Sequence, residues 1–159
     1  MLHFGVLHLL SCVWRTRGVN ARRLMNNPLA ATSVSDYWGK RWNTAFRDLA
    51  HRFIFRPVSK RLGTTTALWS VFLFSGLVHD LVISVPAGGG YGLPTLFFLI
   101  QALAIEVEHS ALGKHLGLAR GIRGWLFTML VLAVPVGLLF PLPFLQNIVL
   151  PMMEAMGAI

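Results

Sequence analysis

Hydrophobic and polar residues fall in long blocks along this chain. Residues 2–13 (LHFGVLHLLSCV) are apolar, 15–61 are polar and basic, and long apolar runs separated by short loops fill 65–159. The first run is too short for a bilayer crossing, which takes about 20 helical residues. It reads as the end of a helix or as an interfacial segment. A signal peptide is not expected, because no basic residue precedes the run and no small-residue cleavage pattern follows it.

The later runs predict membrane helices. One spans 65–85, with LWSVFLFSGLVHDLVISV at its centre, and a glycine-rich turn, PAGGGYG (86–92), follows. The chain returns through 93–112, makes a loop over 113–124, and crosses again through 125–140 with a kink at Pro135. Pro141 and Pro143 break that helix, and 144–159 is a last apolar segment interrupted by Pro151. In the polar block, Asn26-Asn27-Pro28 punctuates a turn. Ser35 is placed to cap a helix from Asp36 to about Phe53, which Pro57 ends. On it, Trp38, Trp42, Phe46, Leu49 and Phe53 share one face, and Lys40, Thr44, Arg47 and His51 the other. That is an amphipathic helix suited to a membrane surface. The predicted fold class is therefore all-α: a single polytopic membrane domain over 1–159, with about three transmembrane helices in 65–159 and an interfacial helix inside 15–61.

Composition agrees. Hydrophobic residues make up 55% of 159 positions and charged residues 13%, with a mean hydropathy of +0.62, which is not the profile of a soluble domain. The net charge of +8 points to membrane topology and anionic lipid rather than nucleic acid. Of the 14 Lys and Arg, Arg15, Arg17, Arg22, Arg23, Lys40, Arg41, Arg47, Arg52, Arg56, Lys60 and Arg61 precede the first long span. The glycine turn carries none, and the loop at 113–124 carries Lys114, Arg120 and Arg123. This alternation assigns 15–61 to the cytoplasmic side. Cys12 is the single cysteine; it excludes an intrachain disulfide and a Cys-based zinc site, and reads as an apolar filler.

Chemistry concentrates at His79-Asp80, an ionisable pair within a membrane-length apolar run, where such residues are costly and mark function by default. His79 lies roughly 20 Å along its helix from the cytoplasmic end, at about 1.5 Å per residue. Ser75 and Gly76 give its face a small surface that admits a close neighbour, a backbone or a substrate chain. A neutral imidazole there can take a proton from a hydroxyl. The competing reading is a structural histidine, with Asp80 as its partner. Asn43, in line with Lys40 and Arg47, can orient a carbonyl while the basic side chains hold phosphates, or it is a solvated surface amide. Glu106, Glu108 and His109 form either a polar or metal cluster or a set of helix-packing contacts. His3, His8, His51 and His115 have no ligand spacing, the glycines at 88, 89, 90 and 92 lack a Walker lysine, and GxSxG and HExxH are absent, so no metal site, nucleotide loop, serine hydrolase or zincin is expected.

Two blocks carry a resemblance. SVSDYWGKRWNTAFRDLAHRFIFRPV (33–58) and FSGLVHDL (74–81) resemble the Ser-x-x-Asp-(Phe/Tyr)-Trp-Gly-(Arg/Lys)-Arg-Trp-Asn signature and the buried Ser-Gly-x-x-His segment of the membrane-bound O-acyltransferase family, in its wax synthase-like branch. The order matches, with 36 positions from Asn43 to His79, and FGVLHLLSCVWRTRG (4–18) is similar to the helix end that precedes the signature. The resemblance implies that His79 and Asn43 are the catalytic pair, with Asp80 and Ser75 in support and Lys40, Arg41 and Arg47 near the phosphates of acyl-CoA. It implies transfer of a fatty acyl group from acyl-CoA, as co-substrate, to a hydrophobic alcohol arriving from the bilayer, with no cofactor. The alternative is a non-catalytic membrane protein in which His79-Asp80 serves a proton pathway or packing. Members of the family have more spans, so the resemblance is to their C-terminal portion, and the remaining helices are expected upstream or from a partner subunit.

Overall fold

A computed structural model describes residues 24–158, together with Val13 and Thr16. Apart from Val13, the apolar run at 2–13 with Cys12, and the basic residues Arg15, Arg17, Arg22 and Arg23, lie outside the described residues. The described chain is helical with no strand. A 3-10 turn, Pro28–Ala30, leads into a short helix α1 (Val34–Asp36) and a wide π turn (Tyr37–Arg41). Next come α2 (Thr44–Ala50), a π turn (His51–Phe55) and α3 (Arg56–Leu62). The long helix α4 (Thr64–Ala87), α5 (Leu93–His109), the short α6 (Ala111–Leu116) and α7 (Gly121–Leu139) follow. At the end α8 (Leu142–Phe144) runs through a π turn (Leu145–Val149) into α9 (Leu150–Ala155).

Among the described residues, α4 and α7 are long and apolar enough to cross a membrane. Helix α5 has 17 residues and ends on carboxylates; it does not reach that standard, so two candidate spans stand where the sequence suggested three. Helix α5 is the central element. It buries Phe97, Phe98, Gln101, Ala102, Ala104, Ile105 and Glu108, and its ring and aliphatic side chains form one core with Val34 of α1 and Phe72 of α4. Phe127 and Val131 of α7 pack against that core. The outer face of α4, including Leu73, Phe74, Leu77, Leu81 and Val82, is exposed, as expected of a helix that meets lipid.

Three expectations about helix ends change. The helix expected over 36–53 is two pieces, because Trp42 is extended and Asn43 is left-handed at φ 41°, a conformation that asparagine tolerates better than most side chains. Ser33, not Ser35, caps α1, its hydroxyl accepting from Asp36 N at 2.9 Å. Pro57 does not stop the second piece, which runs to Leu62. Pro86 and Pro151 behave alike, each lying inside a continuing helix. All three prolines sit two residues beyond a π turn, His51–Phe55, Asp80–Ser84 and Leu145–Val149. A proline removes an N–H and its ring meets the carbonyl four residues back; a widened turn just before it shifts the bonding register and relieves both. At Pro135 no such turn precedes, and α7 is interrupted between Ala133 and Val136.

Loop anchors complete the frame. Trp125 donates through Nε1 to Leu29 O at 2.8 Å. Beside it Gly124 approaches Thr32 O so closely that a Cβ would sit 2.2 Å away, so the entry segment lies against the start of α7.

Candidate active site

Helices α4 and α5 cross where Gly76 faces Thr95. A Cβ on Gly76 would lie 2.6 Å from Thr95 Cα, so the small surface predicted around His79 receives the α5 backbone. Ser75 is buried and its hydroxyl donates back to Val71 O at 2.9 Å. Its carbonyl is what serves His79, which lies 2.7 Å away through Nδ1. A carbonyl only accepts, so Nδ1 carries the proton, and the neutral ring keeps Nε2 as a bare acceptor. The ring lies 4.5 Å from the Phe98 ring, centroid to centroid, tilted by 47°.

Asp80 does not serve as the imidazole's hydrogen-bond partner. Its Oδ1 accepts from Gly92 N at 2.8 Å and from the Ser84 hydroxyl at 2.9 Å, and its Oδ2 accepts from Thr95 N at 3.1 Å and from the Thr95 hydroxyl. The first N–H groups of a helix have no partner within it. At α5, Leu93 N reaches Gly90 O, Pro94 has no N–H, and Asp80 takes the donors on either side of them. It is an N-cap supplied from another helix, at the end where the helix dipole favours negative charge. An open cleft of about 510 Å³ beside it is lined by Leu77, Asp80, Tyr91, Gly92, Thr95, Leu96 and Leu99.

The signature block reaches this region through Trp38. Its ring lies 5.6 Å from Phe98 and 5.9 Å, edge-on, from Phe72. Its Nε1 donates to Gln101 Oε1 at 3.4 Å, and Gln101 Nε2 donates to Val131 O at 3.0 Å. Trp38 and His79 thus meet the same Phe98 ring. Trp42 stacks on Tyr37 at 5.6 Å, and burial pushes the Tyr37 phenol well above its usual range. Asn43 caps α2, with Oδ1 accepting from Phe46 N at 3.2 Å, and Phe46 stacks on Phe74 of α4 at 6.5 Å. No hydrogen bond joins Asn43 to His79 among the described residues.

The three basic candidates differ in their surroundings. Arg41 is paired with Asp36 and donates to Asn27 O at 3.1 Å. Arg47 donates to Gly39 O at 2.6 Å and is paired with Asp48, while Lys40 is exposed. Two of the three therefore hold the folded signature block together.

Two carboxylates near the far end of α5 resolve into packing contacts. Trp69 Nε1 donates to Glu106 Oε1 at 2.9 Å. Glu108 is 1% exposed and accepts from Val34 N at 2.8 Å, from Ser35 N at 3.1 Å and from the Ser35 hydroxyl. It caps α1 as Asp80 caps α5. His109 lies beside it, 3.6 Å from its Oε1. No group of three metal-ligating side chains occurs among the described residues. Sequence reasoning missed Phe98, Gln101 and the role of Glu108. The clue was available in two polar side chains, Gln101 and Glu108, seven residues and about two turns apart on one face of an apolar run.

The model of the membrane bound O-acyl transferase family matches residues 21–100, half of the chain. A probable long-chain-alcohol O-fatty-acyltransferase 7 of Arabidopsis thaliana is 26% identical over 136 residues, which is 77% of this chain and 40% of that protein. The long-chain-alcohol O-fatty-acyltransferase of Simmondsia chinensis is 29% identical over 136 residues, 70% of this chain and 39% of that one. An acyl-CoA–sterol O-acyltransferase 1 of Arabidopsis thaliana is 28% identical over 64 residues, 36% of this chain and 19% of that one. No solved structure matches. The chain spans about 40% of the length of the first of these relatives. The matched segment includes both the tryptophan-rich block and His79, and the chain belongs to the membrane-bound O-acyltransferase family.

Proposed function

We propose that this chain carries the histidine base of an acyl transfer from acyl-CoA to the hydroxyl of a long-chain alcohol. The observation that supports it most is the His79 ring. Its Nδ1 is committed to the Ser75 carbonyl, which leaves Nε2 as an acceptor at membrane depth, in an apolar helix where a neutral ring is the stable form. Nε2 takes the hydroxyl proton as the alcohol oxygen attacks the thioester carbon. The C–O bond forms, the C–S bond breaks, and the proton returns from the imidazolium to the departing thiolate, giving ester and free CoA.

The other residues have supporting parts. Asn43, its Oδ1 held by Phe46 N, presents its amide N–H to the thioester carbonyl. Acyl-CoA enters from the side of the basic block, its phosphates met first by exposed Lys40, with Arg41 and Arg47 behind it. The alcohol arrives from lipid. In this topology α5 also crosses, as the second of three spans in chain order between α4 and α7, 65–159 is membrane domain, and the basic loop is cytoplasmic. Helices of the longer relatives, upstream or from a partner subunit, complete the acyl chamber.

The alternative, a packing role for the His79-Asp80 pair, is favoured by a specific observation for Asp80 alone, whose oxygens are taken up by Ser84, Gly92 and Thr95. The test is incorporation of labelled acyl-CoA into lipid esters by membranes containing the protein, with long-chain alcohol, sterol and diacylglycerol offered in turn. His79→Ala should lower ester formation by about 100-fold or more, the scale of a lost general base. Undiminished turnover would remove His79 from the chemistry. Proton flux without ester formation would favour the non-catalytic reading.

A further inference from the structure

His79 and Asp80 lie three and four residues beyond Gly76 on α4, so that each neighbours Gly76 on the face turned to α5. The opposing line on α5 is Thr95 and Phe98. Gly76 lies beneath the Thr95 backbone, Asp80 binds the Thr95 N–H and hydroxyl, and Phe98, one turn further on, lies against the His79 ring. Thr95 is therefore held from both sides, and the rigid turn from 95 to 98 carries that fixed position to the ring that bounds the imidazole.

We propose that Asp80 is a positioning residue for His79 that acts through α5: by capping the N-terminus of α5 it fixes Phe98, and Phe98 sets the orientation of the imidazole. This rests on His79 being the base, and it assigns the neighbouring carboxylate a different task from charge stabilisation of the ring. The accounting of donors supports it. Four hydrogen bonds converge on Asp80 from Ser84, Gly92 and Thr95, which accounts for its usual acceptor capacity of about four lone-pair sites. On the imidazole's other side, Nε2 has no hydrogen-bond partner among the described residues, and the ring is bounded by an aromatic face. An aromatic neighbour restricts the ring's tilt without adding a polar competitor for the hydroxyl proton.

The full chain in lipid nanodiscs, with isotope-labelled histidine, supplies the test by nuclear magnetic resonance. His79 ring signals are assigned by their loss in His79→Gln, and Phe98→Leu gives the displacement that follows from losing the aromatic ring current. Asp80→Ala should displace the His79 signals in the same direction and by a comparable amount. Asp80→Asn keeps one acceptor oxygen and is a competent cap, so it should displace them less. Thr95→Val removes one donor at nearly constant volume, and should shift them the same way even where Asp80→Ala folds poorly. An unmoved signal in Asp80→Ala or Thr95→Val overturns the proposal. Equal displacement by Asp80→Asn and Asp80→Ala also overturns it, because that pattern marks the charge and not the cap. These readings do not depend on turnover, so active His79→Ala would remove the base reading while leaving this coupling to be judged by its own signals.

Discussion

At the residue scale, Gly76 shows how narrow the tolerance is around His79. A methyl group there would overlap Thr95 Cα, a backbone atom that moves only with the whole of α5. Overpacking of this kind typically costs about 1–3 kcal/mol. Gly76→Ala should lower the thermal stability of the detergent-solubilised protein by that amount and weaken esterification together with it. Gly137 in α7 makes the control, since nothing lies within 4 Å of its added Cβ. Gly137→Ala should be neutral or slightly stabilising, as expected for a helical glycine with free space. Part of this scale was legible from sequence: the small residues before His79 and the need for a close neighbour. The role of Asp80 as a cap was not, because besides Ser84 the groups it binds lie 12 and 15 positions away, at the end of a turn that reads only as flexible glycine and in the first turn of α5.

At the scale of elements, α5 decides how the signature block is held. The buried Glu108 carboxylate satisfies Val34 N and Ser35 N, and Ser33 satisfies Asp36 N, so the opening donors of α1 are matched by side chains. Removing the carboxylate strands two backbone N–H groups in the interior, at about 1–3 kcal/mol for each buried group left unmade. Glu108→Ala should therefore lower the unfolding temperature markedly and expose the segment at 24–36 to protease, with Glu108→Gln intermediate. An unchanged melt and an unchanged cleavage pattern would show that the contact does not hold the block. Sequence periodicity located α4, α5 and α7 to within a few residues, because burial and lipid exposure both select apolar side chains at helical spacing. It misjudged helix ends where backbone conformation decides. Asn43 breaks a helix that hydrophobic spacing would continue, and π turns carry helices through Pro57, Pro86 and Pro151 that proline alone would stop.

At the scale of the whole molecule, the orientation of the spans proposed from charge placement has a direct test. In a background with Cys12 replaced by Ser, Tyr91→Cys at the exposed glycine turn and Lys60→Cys at the end of the basic block should label from opposite sides of the membrane with an impermeant thiol reagent. Labelling of both from one side would contradict the crossing of α4. The expectation from sequence rests on positive residues avoiding one side, and this labelling tests it. Sequence alone could not show that the signature block is fastened to the interior, since Val34 and Glu108 are 74 positions apart. That separation has a consequence for synthesis. The tryptophan-rich segment leaves the ribosome with the first donors of α1 unmatched, and they stay so until α4, the outer turn and nearly all of α5 have been made. Glu108, for its part, enters the protein interior favourably only where those N–H groups already wait. Completion of the signature block is thus timed by delivery of the far end of α5, and neither can reach its final state before the helix and turn between them have been made.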